Sequence, residues 1–180
     1  RGELEALEGI PRAARRHGVS SEQPIGHLQA ALALAAMLGE RQRETPLRNT
    51  LGIVEWERGR YSEALAHYER ALALVRGLGE RSHEGLVLNS LGVTLMRLNR
   101  AEEARTVLEQ SIRLNRQSGE RLLQAHALAA LGDLCSSQAD PAQARRCFEQ
   151  SLALRGELGD RGGEQAMLER LQRLTGAKES

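Results

Sequence analysis

Two cysteines in 180 residues, Cys135 and Cys147, are too few for a disulfide framework and fall at no metal-ligand spacing, so both read as small buried hydrophobes. Long hydrophobic runs are missing as well. The longest, Ala30 to Leu38, is about half of what a bilayer span needs, and no charged-then-apolar leader opens the chain. An excess of one charge is also absent: 25 basic residues face 24 acidic ones. The balance holds locally, seven against six in 39–78, six against five in 79–118 and four against five in 119–158. No segment therefore carries the basic stripe that nucleic acid or an anionic membrane requires, and a cytoplasmic setting is expected. Lysine is nearly absent, Lys178 being the only one, which points to a GC-rich and bacterial coding sequence. With Arg1 in place of an initiating methionine, the chain reads as a piece of something longer.

Catalytic signatures are missing in the same way. There is no Gly-rich phosphate loop after a strand, no His-Glu-x-x-His, no serine-centred nucleophile elbow and no strand signal to hold one. The histidines, His17, His27, His67, His83 and His126, never stand at the i, i+4 spacing that would chelate a metal. The adjacent carboxylates Glu55/Glu57 and Glu102/Glu103 read as solvated helix faces rather than an acid and base couple. No catalytic residue, metal or cofactor is expected.

What is present is a repeat. Gly-Glu-Arg occurs at 39–41, 79–81 and 119–121, and Gly-Asp-Arg at 159–161, a period of 40 residues. Leu51-Gly52, Leu91-Gly92 and Leu131-Gly132 recur at one offset, and Ala64, Ala104 and Ala144 at another. A period of this length implies a stack of helix pairs, none of which buries its apolar face without neighbours. The chain divides into a divergent unit at 1–38, units at 39–78, 79–118 and 119–158, and a closing helix and tail at 159–180.

Residues 39–78 show one unit clearly. Leu47, Leu51 and Val54 recur three or four apart on a first helix, A, over 43–58. Gly59-Arg60 breaks it, and Ser62 is the expected N-cap of helix B. Ala64, Leu65, Tyr68, Ala71, Leu72 and Val75 form the apolar stripe of B, which is expected to end near Gly77. Gly52, Ala64 and Ala71 let the helix axes approach, with Leu51 and Tyr68 filling the remaining space. Later units keep the logic with Leu108 and Ser111, then Phe148 and Ser151, and Pro141 suits a first helical turn.

Leu-Gly on helix A, then after a turn Ala, an aromatic four residues on and a small residue three further, resembles the tetratricopeptide repeat in a 40-residue form like that of bacterial signalling proteins. Residues 41–158 match well. In the first unit Gly9 lies three residues too far from its B helix and Pro24 takes the place of Ala64. Arg76, Arg116 and Gly156 stand where a proline usually ends helix B, so B is expected to run on to the Gly-Glu-Arg turn. The resemblance implies an all-α, right-handed superhelical solenoid of antiparallel helix pairs, with A helices lining the concave side.

Carried onto this sequence, the resemblance puts Pro46, Asn49, Thr50, Ile53 and Trp56 on that concave wall, then Leu86, Asn89, Ser90, Val93 and Met96, then His126, Ala129, Ala130, Asp133 and Ser136. The candidate partner-binding residues among them are Asn49, Ile53, Trp56, Asn89, Ser90, Val93, Met96, His126 and Asp133. Ile53, Trp56, Val93 and Met96 offer an apolar strip, and Asn49 and Asn89 suit a peptide main chain. Trp56 is either an exposed anchor or packs on the B helix of its own unit or under the following A helix. With no basic cluster on this wall, binding is expected to depend little on salt. Repeats that grip the acidic carboxy-terminal peptides of heat-shock chaperones use a Lys/Arg/Asn clamp; its positions hold Asn49, Ile53, Ser90, His126 and Ala130, so that clamp is absent. The expected function is a scaffold binding a protein or peptide in the groove. Its rivals are a sensor that switches a fused effector and a plain spacer or oligomerisation segment.

Overall fold

The computed structural model describes residues 23–176, all of them in helices or the short turns between helices. The order is α1 Gln23–Met37, α2 Arg41–Glu57, α3 Tyr61–Leu78, α4 Arg81–Arg97, α5 Ala101–Ser118, α6 Arg121–Ser137, α7 Pro141–Leu158 and α8 Arg161–Gly176. Each helix packs on the next in sequence, and α4 also touches α6, so the chain is a solenoid of antiparallel pairs, as the repeat requires. Gly9 lies outside the described residues.

The turns explain the period. A residue with positive φ stands every 20 residues, at Gly39, Gly59, Gly79, Asn99, Gly119, Ala139 and Gly159. Each closes a helix in the left-handed conformation and reverses the chain, which glycine does at no steric cost. Helix B ends at Leu78, beside Gly77, and its counterparts at Ser118 and Leu158, with Gly79, Gly119 and Gly159 of the following turns capping them as expected. One cap differs from expectation: α3 starts at Tyr61 with Arg60 as its N-cap, and Ser62 lies inside the helix. The tight turn, in which Arg60 N–H donates to Glu55 O at 2.9 Å, starts the helix before a capping serine is needed. Asp140 does cap α7, accepting from Gln143 N at 3.0 Å ahead of Pro141 in the first turn.

Packing between the helices of a pair depends on the glycine sites. A β-carbon at Gly52 would lie 2.6 Å from the Tyr68 ring, one at Gly92 would lie 2.6 Å from Leu108 Cγ, and one at Gly132 would meet the Phe148 ring. Ala64, Ala104 and Ala144 are fully buried beside them, and the whole predicted stripe of α3 is in the core. Tyr68, Leu88, Leu108, Phe148 and Met167 continue that core from pair to pair, each burial contributing about 1.5–3 kcal/mol. Cys135 and Cys147 are buried and free, and burial pushes the Cys147 thiol up to about 11. Ser111 and Ser151 tie together the two helices of their own pairs, donating at 2.8 Å to the carbonyls of Gly85 and Ala125.

Candidate functional site

The helix pairs leave a groove whose wall is drawn chiefly from α4, α6 and α8, every second helix of the chain, around a cavity of about 610 Å³. Trp56, Asn89, Ser90, Val93, Met96, His126 and Asp133 all line it. Asn49 and Ile53 do not. Ile53 belongs to the core cluster, and Asn49 sits half-buried on α2, one pair before the cavity opens.

Trp56 is not an exposed anchor: its side chain is only 7% accessible. The indole meets Tyr61 of α3 edge-on, with centroids 5.7 Å apart, and the Arg97 guanidinium from the end of α4 lies over it at 5.4 Å. It packs both on its own B helix and under the next A helix, a pairing in which ring quadrupole and cation attract. Trp56 still lines the cavity, and its buried Nε1 has no hydrogen-bond partner.

Two more residues of the same wall hold a buried, unpaired polar atom: Asn89, 7% accessible, its Oδ1, and His126 its Nδ1. Burial, reinforced by Arg155, holds the His126 imidazole down to about 4, so it is neutral near pH 7. Ser90 is already engaged, its Oγ donating to Leu86 O of its own helix at 3.4 Å. Asp133 is taken by Arg170 of α8, whose Nε and Nη2 donate to its two oxygens at 3.0 and 3.4 Å.

The expectation of a wall without basic groups fails. Arg97, Arg155, Arg170 and Arg173 all line the cavity, against the one carboxylate of Asp133. Arg155 is 2% accessible, reaches across Gly163 and donates to Asp160 Oδ2 at 2.6 Å. The 40-residue register holds a signal for two of these. Carried one unit beyond Ala130 and Asp133, it arrives at Arg170 and Arg173 of α8. Arg155 had no such signal, because it extends into the groove from a B helix. The reading of Glu55 also changes: it is buried and ion-paired with Arg60, although Glu57 beside it is exposed as expected.

Alternating A and B helices, left-handed turn residues every 20 positions and glycine-sited interdigitation together describe one kind of repeat, and the profile of the tetratricopeptide repeat matches residues 42–117 and 83–157. The chain belongs to the tetratricopeptide repeat family. No curated protein matches it. Among solved structures, the tetratricopeptide-like repeats of a putative kinesin light chain from Podosopora anserina superpose with a TM-score of 0.65 at 16% identity, covering 88% of each chain. BtubC from P. vanneervenii gives 0.61 at 18% identity over 88% of this chain and 77% of that one. The N-terminal domain of stress-induced protein-1 from C. elegans gives 0.59 at 17% identity over 75% and 97%. At these identities the likeness is one of fold. Tetratricopeptide repeats generally serve as protein-interaction scaffolds. No helix among the described residues is long and apolar enough to cross a membrane.

Proposed function

We propose that this chain is a protein-interaction module and not an enzyme, and that a segment of a partner protein lies in the groove walled by α4, α6 and α8. One observation carries the reading: Trp56, Asn89 and His126, which line one cavity, each hold a buried polar atom without a partner, Nε1, Oδ1 and Nδ1. A buried polar group left unpaired costs about 1–3 kcal/mol, so three of them in side chains around one space favour an occupant whose binding lets them pair. A donor from the indole and an acceptor from the asparagine suit the C=O and N–H of an extended main chain, while Val93 and Met96 supply apolar contact. The glycine sites support taking 159–180 as the closing segment. Where Gly52, Gly92 and Gly132 admit a B-helix side chain, α8 has the exposed Gln172.

Trp56 is the only tryptophan, so its emission reports on this cavity alone. Peptides selected from a random display library should shift that emission on binding, and Asn89→Leu should weaken them by about 1–3 kcal/mol. Peptides that bind yet leave both the emission and the Asn89→Leu affinity unchanged would place the site elsewhere on the solenoid.

A further inference from the structure

The groove reading leaves the chemistry of the partner open, and the charge of the wall narrows it. The chain as a whole is nearly neutral, yet four arginines and one aspartate line this cavity. Two of the four are held internally, Arg155 by Asp160 and Arg170 by Asp133. The other two are exposed and have no carboxylate partner among the described residues: Arg97, set by its stacking on Trp56, and Arg173 on α8. They stand on the two helices that flank α6. Between them α6 offers Ala129 and Ala130, small side chains that leave the bed open.

A guanidinium presents a planar fork of donors that matches a carboxylate, and inside a concave wall its field is less screened than on an open surface. Neither arginine occupies a position of the chaperone-peptide clamp, so the charge comes from a different part of the repeat. Resting on the groove reading, we infer that the occupant is an acidic peptide segment of a partner protein, with one carboxylate for Arg97, another for Arg173, and small or apolar side chains over Ala129 and Ala130.

The test is selection of random displayed peptides on the whole chain and on the Arg97→Gln/Arg173→Gln variant, with Arg113→Gln, exposed on α5 away from the cavity, as control. Both groove arginines are exposed, and circular dichroism checks that the double variant folds. Peptides selected on the unaltered chain should be enriched in Asp and Glu. They should bind the double variant about ten-fold or more weakly, the loss expected for charge-assisted bonds, and the control equally well. Their affinity should fall steeply between low and moderate salt. Neutral peptides that shift Trp56 emission and bind the double variant as tightly would overturn the acidic partner and leave the groove reading standing. If no selected peptide perturbs Trp56, both fall together.

Discussion

Leu108 of α5 occupies the space that a side chain at Gly92 of α4 would need, its Cγ 2.6 Å from where a β-carbon would stand. Leu108 is fully buried and has nowhere to retreat. Replacing Gly92 with Ala improves helix propensity by about 1 kcal/mol, but overpacking costs about 1–3 kcal/mol and a leucine more, so overpacking wins. Gly92→Ala should lower the urea midpoint and Gly92→Leu should lower it further. Gly77→Ala, with open space around its β-carbon in α3, should instead raise it by the equivalent of about 0.5–1 kcal/mol. Equal effects at positions 92 and 77 would contradict the packing described.

Much of this fold is legible in the sequence because the features that build it are local. Glycines at left-handed turns announce helix ends, and Leu-Gly facing Tyr, Leu or Phe announces which helices pair. The misread cap shows where locality stops: Ser62 has the right chemistry, but the turn at Gly59 and Arg60 settles the helix start first. The groove is harder to read. The burial of Trp56 depends on Tyr61 and on Arg97, which lies 41 positions along the chain, and Arg155 reaches the cavity only because Gly163 makes room for it.

Ala139 is the one turn residue in the series that carries an ordinary side chain without a polar group, at φ 58°. A left-handed alanine costs about 1–2 kcal/mol relative to a right-handed one, whereas glycine bears little of this. Ala139→Gly is expected to stabilise by about 1 kcal/mol, read as a higher melting temperature. Gly59→Ala at the matching turn should lower it. A destabilised Ala139→Gly would mean that its methyl group makes contacts worth more than the strain.

His126 gives stability a pH dependence. Its folded value near 4 lies below the ordinary 6.5, so between these the unfolded chain binds a proton that the folded chain refuses. Stability therefore falls as pH drops through this window, by about 2 kcal/mol between pH 7 and pH 5. His67, lowered chiefly by burial, acts in the same direction. Denaturant midpoints across pH 5–7 should show the slope, and His126→Gln should flatten it. A slope unchanged in that variant would assign the effect to other groups.

The ends of the described solenoid should open before its middle. Each helix is supported by its neighbours in sequence, and among the described residues α1 packs chiefly on α2, without the two-sided burial that α4 and α6 have. Leu34 and Met37 of α1 are exposed, at 57% and 85%, whereas Leu88 in α4 and Leu128 in α6 lie in the interior. Native-state hydrogen exchange should accordingly find the amides of α1 fastest and those of 85–134 slowest, with unfolding that is less than fully two-state. Uniform protection from α1 to α8 would show instead that the pairs fold as a single cooperative block, with coupling between neighbours strong enough to outweigh the missing contacts at the end.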